Sequence, residues 1–390
     1  MSEYFAGEYH GERRPLFRLA IRTALLTAGT IGIYRFWAKT RIRKYVWSSI
    51  AGDGDSFEYT GTGLEKFLGF LAAIVILAIY MGIIQMILFF FGMNMFSPSN
   101  APFMVFLQYG AFVITGFTVA PLMLFAQYRA RRYKLARTRW RGVRFGAEQA
   151  AWGYVWRAII HWTISIVTLG LLLPRQTFYL EKYKTDRTWF GDVQFVQLGT
   201  WGGLYPAMKH LVIGIGLMVL GGFSALLGGI GFGATSAIVG YIWAMVGFVS
   251  YRVRSFEYLT NNKVLGGEIT IKSEPETGTI VKRIVVGGIV LGLVAAVLLG
   301  VLAGFVADFI STEAFQITTA LLPLVVFYMF LIAIVTSVSL VWITQPIIEH
   351  LVHSITVHNI SILKKISQRA PDVKIDAEGF ADALDVGGAI

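Results

Sequence analysis

Three of the six histidines lie close together near the end of the chain, and imidazole is the commonest metal ligand among side chains. They are His350, His353 and His358. On a helix His350 and His353 share one face, and Glu349 or His358 could complete a metal site. The order EHxxH differs from the HExxH of metalloproteases, and histidines at the end of an amphipathic helix need no metal. A membrane metalloenzyme is therefore our weakest alternative, and we predict no cofactor.

A run of eight cations forms a second candidate site. The run comprises Arg129, Arg131, Arg132, Lys134, Arg137, Arg139, Arg141 and Arg144. Tyr133 and Trp140 are interleaved with them, a mixture that can also bind nucleic acid. Beside a membrane helix such cations more often contact anionic headgroups, at about 1 kcal/mol each. We predict membrane phospholipids, especially anionic ones, as partners, and no nucleic acid; a polyanionic solute is left open.

Two apolar stretches with a central glycine could line a pathway. They are Leu16–Trp47 and Trp156–Tyr183. The apolar middle of the first stretch, Thr23–Tyr34, is too short for a comfortable span, and the second stretch repeats its plan. Cations stand on both sides of each apolar part, which predicts a helical hairpin that is re-entrant or lies on the membrane surface. The candidate tip or pathway residues are Thr27, Gly29, Thr30, Gly32, Tyr34, Thr168, Gly170 and Gln176.

The composition defines the elements that must position these residues. Of the 390 residues 55% are hydrophobic and 15% are charged, whereas a soluble domain carries about a quarter charged residues. The net charge of +11 fits cations beside anionic headgroups. The chain has no Cys, which excludes disulfides and thiol catalysis, and no GxxxxGK[ST] phosphate loop. Because the first fifteen residues are polar, we expect no cleaved signal peptide.

Six apolar stretches without Asp, Glu, Lys or Arg are long enough to cross a bilayer. They are Phe67–Gly92, Pro102–Gln127, Leu211–Gly229, Phe232–Ser250, Ile284–Ala307 and Ile317–Ile343. These pair into three hairpins whose connections, Met93–Ala101, Ile230–Gly231 and Asp308–Gln316, contain no Lys or Arg. Since basic residues collect in cytoplasmic loops, we predict that both termini and the long loops are cytoplasmic.

Short extended segments between the membrane elements predict a small cytoplasmic β-layer. They are Asp53–Gly61, Thr138–Gly146, Thr188–Val196, Val264–Ile271 and Ser354–Ile362. The predicted fold class is all-α transmembrane: six membrane-spanning helices in three hairpins, two re-entrant or interfacial helical hairpins, and this β-layer.

The order of these elements suggests an internal repeat. Tyr128-Arg-Ala-Arg recurs as Tyr251-Arg-Val-Arg after a later span. We predict a polar N-terminus at 1–15, repeat units at 16–146 and 153–271, and a partial third unit at 283–362. The acidic tail at 363–390 is expected to be disordered.

Three segments carry a resemblance to a known family. They are LLTAGTIGIYRFWAKTRIRKYVWSS at Leu25–Ser49, GDSFEYTGTGLEKFLGFL at Gly54–Leu71 and YRARRYKLARTRWRGVRFG at Tyr128–Gly146. The chain resembles the YjgN-like family of bacterial inner-membrane proteins, a domain of unknown function. The resemblance implies the inner membrane of a Gram-negative bacterium, and it brings no reaction, substrate or catalytic residue. Ala28-Gly29 departs from the bulkier apolar residues usual there.

These observations favour a non-enzymatic membrane protein that moves or binds a small or amphipathic solute or a lipid. The absence of charge within the spans disfavours proton-coupled transport through them. The alternative is a lipid-binding scaffold that organises the membrane through its basic face. Self-association into a homo-oligomer is also left open.

Overall fold

A computed structural model describes residues 4–94, 101–311, 317–370 and 379–383, and the structural statements below concern these residues. Six of its helical stretches are long and apolar enough to cross a membrane, as the sequence predicted. They are Gly63–Phe90, Pro102–Ala136, Trp201–Leu226, Ile230–Asn261, Thr277–Gly304 and Val325–His353.

Ten short strands form a closed antiparallel barrel. They are β1 (Tyr4–Tyr9), β2 (Ile50–Gly52), β3 (Asp55–Tyr59), β4 (Thr138–Trp140), β5 (Val143–Ala147), β6 (Thr188–Phe190), β7 (Val193–Gln197), β8 (Lys263–Leu265), β9 (Ile269–Ser273) and β10 (Ile355–His358). The order around the barrel is β1-β10-β9-β8-β7-β6-β5-β4-β3-β2, and β1 closes the ring by pairing with β2.

The predicted fold class of an all-α protein with a small β-layer is therefore wrong. Each of four predicted segments contains or adjoins a tight turn and folds as a two-stranded hairpin. At three of these turns both central residues have positive φ: Asp53 and Gly54 at 51° and 81°, Arg141 and Gly142 at 52° and 74°, and Gly266 and Gly267 at 62° and 78°. Such turns match the twist of paired strands. The polar N-terminus supplies the strand that closes the barrel, with Phe5 opposite Val357 of β10.

Aromatic side chains fill the interior of the barrel. The rings of Phe57 and Trp140 stack 5.8 Å apart, and those of Phe145 and Phe190 lie 4.7 Å apart. Ile366, just after a 3-10 turn at Ile360–Lys365, completes this core. A small barrel filled in this way is a packed core rather than a pore.

The spanning helices leave the barrel and return to it as hairpins. They are α3 (Gly63–Phe90) with α4 (Pro102–Ala136), α7 (Lys209–Leu226) with α8 (Ile230–Asn261), and α9 (Thr277–Ser311) with α10 (Ile317–Ser339). A π-helical turn at Leu340–Thr344 joins α10 to α11 (Gln345–His353), and a 3-10 helix at Trp201–Met208 precedes α7. Because every hairpin starts and ends at a barrel strand, the opposite ends of its two helices lie on the side away from the barrel.

Two shorter hairpins connect other strands of the barrel. They are α1 (Arg13–Gly29) with α2 (Arg35–Ser48), and α5 (Ala151–Val167) with α6 (Leu173–Thr185). Their turns have matching backbone conformations: Ile31 and Gly32 have φ of 50° and 87°, and Leu169 and Gly170 have φ of 50° and 84°. The longer helix of each pair has 17 residues, about 25 Å, so it is shorter than a hydrocarbon core of about 30 Å.

A last short helix, α12 (Gly379–Ala383), lies within the tail that the sequence predicts to be disordered. It packs between α3 and α4. Ala381 contacts Ala126 and Ala130 of α4, and all three are buried.

Candidate functional site

A cluster of buried charges joins α2, α3, β3 and α12. Oδ2 of Asp382 lies 2.8 Å from Nη1 of Arg43 and 3.0 Å from Nζ of Lys66. The same Nη1 of Arg43 donates a hydrogen bond of 3.1 Å to the hydroxyl of Tyr59. The three charged side chains are only 1–2% exposed.

Each of these residues is placed by an element that ends at the barrel. Tyr59 is the last residue of β3. Lys66 lies in the first turn of α3, whose N-cap Thr62 accepts a hydrogen bond from the backbone N–H of Glu65. Gly379 sits so close to the carbonyl of Glu65 that a Cβ there would lie 3.0 Å from the oxygen. The site therefore forms only when α12 is in place.

The charges in this cluster are unequal, since two cations face one carboxylate. Nε and Nη2 of Arg43 have no hydrogen-bond acceptor within the described ranges. Burial alone would raise the pKa of the Asp382 carboxyl, but Arg43 and Lys66 outweigh it and lower that pKa to about 2. Burial raises the pKa of the Tyr59 hydroxyl to about 12, so Tyr59 stays neutral. Among the described residues, the cluster thus holds two cationic side chains and one carboxylate.

A second ion pair borders the cluster on α3 and α4. Oε2 of Glu65 accepts a hydrogen bond of 2.9 Å from the hydroxyl of Tyr133 and lies 2.9 Å from Nη2 of Arg137. Because Arg137 is paired with Glu65, Glu65 is not available to neutralise Arg43 and Lys66.

Two of the eight predicted lipid-binding cations line a cavity of about 360 Å³ between α4 and α5. These are Arg129 and Arg132. The guanidinium of Arg129 lies 5.1 Å from the ring centroid of Phe125, which packs 4.9 Å from the ring of Trp152. Nε of Arg132 donates a hydrogen bond of 2.8 Å to the carbonyl of Ala147. The cavity also contains Tyr128, Gln149, Ala150, Ala151 and Gly153.

The other six predicted cations lie elsewhere. Arg141 pairs with Asp53 and Asp55 beside a barrel turn, at 2.5 and 2.6 Å. Lys134 lines a separate cavity of about 280 Å³ against the barrel. The remaining four lie on or beside the barrel or face acidic residues: Arg131, Arg137, Arg139 and Arg144. The structure therefore does not bring the eight cations together at one site.

The predicted tip residues stabilise the turns of the short hairpins. The hydroxyls of Thr30 and Thr168 each donate a hydrogen bond of 2.8 Å to the carbonyl four residues back, that of Leu26 and of Ile164 respectively. The same hydroxyls accept backbone N–H groups from Tyr34 at 2.9 Å and Leu172 at 3.3 Å.

The apolar ends of the two tips are exposed. Ile31 is 82% and Leu169 is 88% exposed. A Cβ added at Gly29, Gly32 or Gly170 would meet no atom within 4 Å. Thr27 bonds the carbonyl of Thr23, and Gln176 is half-buried on α6. The tips thus present exposed apolar side chains.

The three histidines are engaged separately. Nε2 of His350 accepts a hydrogen bond of 2.9 Å from the backbone N–H of Glu276. The ring of His358 lies 5.6 Å from that of Tyr4, and His353 is exposed. Across the described part of the chain no group of three or more His, Cys, Asp or Glu is placed to hold a metal.

Sequence reasoning missed the buried cluster. Lys66 stands one residue before a predicted span, and Asp382 stands in a tail read as disordered. One signal was available: Gly379-Phe-Ala-Asp-Ala is a short run of small and apolar residues within the acidic tail. That run is unlike the polar composition of a disordered segment.

Six candidate spans, hairpins that all return to one side and a filled barrel on that side define a multi-pass membrane protein. The chain belongs to the family described as bacterial protein of unknown function DUF898, whose model matches residues 5–241. The resemblance noted in the sequence is confirmed.

Two relatives carry the description inner membrane protein YjgN. That of Salmonella typhimurium LT2 is 23% identical over 175 residues, which is 42% of this chain and 39% of the relative. That of Escherichia coli O157:H7 is 25% identical over 148 residues, 38% of this chain and 32% of the relative. The match thus spans well under half the length of these curated relatives. No solved structure matches the chain significantly. With six apolar helices, these relatives make the chain a multi-pass inner membrane protein.

Proposed function

We propose that this protein binds an anionic phospholipid at the barrel side of its spans, with the headgroup in the cavity between α4 and α5. The cavity itself carries the proposal, because it combines two arginines, an amide and aromatic rings in about 360 Å³. A guanidinium can bind a phosphate through two parallel hydrogen bonds. Trp152, 56% exposed, suits the headgroup depth where tryptophan collects.

The position of Arg129 along α4 supports this depth. Arg129 lies about 40 Å along the helix from Pro102, at 1.5 Å per residue. A hydrocarbon core is about 30 Å thick, so Arg129 lies beyond it. Because the cations lie at the barrel ends of the spans, we place the barrel and both termini in the cytoplasm. The lipid would then belong to the inner leaflet.

A second activity, movement of the bound lipid across the bilayer, is supported by the short hairpins. One short hairpin lies on each side of the α3/α4 hairpin around the barrel, because β2 pairs with β3 and β4 pairs with β5. Their tips end in exposed Ile31 and Leu169, which we expect to reach partial membrane depth. A bilayer thins beside short apolar elements, which lowers the barrier to headgroup passage. The filled barrel offers no path of its own.

We also infer that the alternation of hairpins arose by duplication. Four barrel hairpins share the same lengths, three residues followed by five, as in Thr138–Trp140 with Val143–Ala147 and Thr188–Phe190 with Val193–Gln197. The two short helical hairpins share one turn conformation. Duplicated units that frame a site between them are common in membrane transporters.

The experiment compares two charge-neutralising variants reconstituted in nanodiscs of phosphatidylcholine with phosphatidylglycerol. Native mass spectrometry counts the phosphatidylglycerol retained after gentle release. Arg129→Gln should reduce retention about fivefold, since one interfacial cation contributes about 1 kcal/mol. Arg141→Gln, which removes the same charge at a barrel turn, is the matched control and should retain wild-type lipid. Equal loss in both variants, or no preference over phosphatidylcholine, contradicts the proposal.

Movement is tested separately in proteoliposomes that contain a fluorescent phosphatidylglycerol in both leaflets. Dithionite quenches only the outer leaflet, so full quenching reports lipid exchange between leaflets. Replacing Ile31 and Leu169 by Glu should abolish exchange while leaving retention at Arg129 intact. Retention without exchange in the wild type would assign the alternative role of a lipid-binding scaffold.

A further inference from the structure

Helix α12 fills a cleft that is lined by two buried cations. Arg43 and Lys66 point to the carboxylate of Asp382 from α2 and α3. Ala381 closes the cleft against Ala126 and Ala130. This cleft is distinct from the cavity at Arg129, which lies between α4 and α5.

The cleft has the electrostatics of an anion site. Nε and Nη2 of Arg43 lack an acceptor among the residues that the structure describes. A buried cation that loses its partner is strongly destabilising. When Asp382 leaves, another anion must therefore take its place or water must enter. Tyr59, whose hydroxyl already bonds Arg43, adds a neutral polar wall.

Helix α12, which fills the cleft, has little stability of its own. α12 has five residues, and an isolated helix of that length is unstable in water. Among its described side chains, Ala381 makes the buried apolar contact, with Ala126 and Ala130, and an alanine buries little area. The ion pairs of Asp382 therefore supply much of what keeps α12 in the cleft.

We propose that Arg43 and Lys66 form a binding site for a phosphate group, and that Asp382 fills it as an internal competitor. A phosphate offers more acceptor oxygens than the single Oδ2 that both cations share. The phosphate belongs either to a free anion or to a lipid headgroup that enters between α3 and α4. Displacement of α12 then opens the site.

The test uses Asp382→Ala in the full-length chain. Inorganic phosphate is titrated into the detergent-solubilised protein by calorimetry, and nanodiscs of phosphatidylcholine with and without phosphatidic acid are analysed by native mass spectrometry. Affinity for one of the two probes should rise about tenfold or more over the wild type, the gain expected when a segment docked about 90% of the time is removed. A gain for phosphate alone assigns a soluble anion; a gain for phosphatidic acid assigns a lipid. A folded Asp382→Ala protein that gains neither overturns the proposal.

Matched control variants test whether the increased affinity arises at Arg43. Glu58→Gln removes an exposed acid from the same strand as Tyr59 and should change nothing. Arg43→Gln combined with Asp382→Ala should lose the gain, and an unchanged gain would overturn the proposal. Arg129→Gln combined with Asp382→Ala should keep it, which separates this site from the α4–α5 cavity.

A lock on α12 tests the proposal without removing any charge. Because the chain has no Cys, Ala130→Cys with Ala381→Cys supplies the only two thiols. The oxidised protein should bind neither probe at the Arg43 site, and dithiothreitol should restore the wild-type affinity. Equal binding by the oxidised and reduced forms would overturn the role of α12 as competitor.

Discussion

The Asp382 carboxylate lies 2.8 Å from the Arg43 guanidinium, although 339 residues separate them in the chain. Lys66 shares the same carboxylate oxygen at 3.0 Å. The C-terminal segment thus fastens the first short hairpin to the base of the first span. Because the pairs are buried, their loss affects the fold and not only the surface.

Asp382→Ala should lower the stability of the protein by about 3–5 kcal/mol in phosphate-free buffer, because it leaves two buried cations without a partner. Thermal unfolding in detergent measures the loss. Adding Lys66→Met should cost less than the sum of the two single changes, since it removes one of those cations. An unchanged Tm for Asp382→Ala would show that the pairs are replaced by water at no cost.

From neutral pH downward, the contribution of Asp382 to stability should change only in strong acid. Arg43 and Lys66 hold the pKa of the Asp382 carboxyl at about 2, below its ordinary 3.8. A lowered pKa contributes stability that is full above the ordinary value and is lost as pH falls through the lowered one. Tyr59, the third group that faces it, has a pKa of about 12 and stays neutral.

The measurement is the difference in Tm between the wild type and Asp382→Asn. That difference should be constant from pH 7 to about pH 4 and should shrink between about pH 4 and pH 2. A difference that already vanishes near pH 5 would mean that the cations do not lower the pKa of Asp382.

The spans could be predicted from the sequence because a long apolar run between cations can adopt few structures other than a membrane-spanning helix. The barrel could not be predicted in this way. Its strands have three to six residues, which gives too few alternations to separate one strand from a hairpin. Its closure pairs Phe5 of β1 with Val357 of β10. These residues are so far apart in the sequence that no local pattern could predict the contact.

The buried cluster escaped prediction for a related reason. Asp382 stands in an acidic tail, a composition typical of disorder. Its burial depends on cations supplied by Arg43 and Lys66, more than 300 residues earlier. Arg129 and Arg132, by contrast, could be proposed as lipid contacts because their environment, the end of a span, is visible in the sequence. The cavity between these arginines and Trp152 could not be predicted, because it depends on how α5 packs on α4.

The close packing of α7 on α8 should depend on individual glycines. A Cβ at Gly214 would lie 2.3 Å from the backbone N of Ala244, whereas a Cβ at Gly216 would meet nothing within 4 Å. Gly214→Ala should therefore destabilise the hairpin by about 1–3 kcal/mol through overpacking. Gly216→Ala, the matched control two residues away, should be neutral or stabilising by up to about 1 kcal/mol. Thermal unfolding in detergent separates the two, and equal effects would contradict close packing at Gly214.

Barrel closure should depend on the fit of Phe5 beside Gly52. A Cβ at Gly52 would lie 2.5 Å from Cε2 of Phe5. Gly52→Ala should destabilise the protein by pushing Phe5 from the ring of Trp140, 5.6 Å away. Combining it with Phe5→Leu should recover part of the loss, with a coupling of about 0.5–3 kcal/mol in a double-mutant cycle. Strict additivity would show that Phe5 and Gly52 do not share this space.

The orientation of the molecule can be tested because the chain has no Cys. Asn94→Cys lies in the turn that ends α3, on the side away from the barrel, and Ser56→Cys is exposed on β3. If the barrel is cytoplasmic, an impermeant maleimide should label Asn94→Cys in intact spheroplasts and Ser56→Cys only after lysis. The reverse pattern would place Arg129 and its cavity at the periplasmic leaflet. The positive charges would then lie on the side where membrane proteins carry few of them. That result would also contradict the proposal that Arg129 binds a lipid of the inner leaflet.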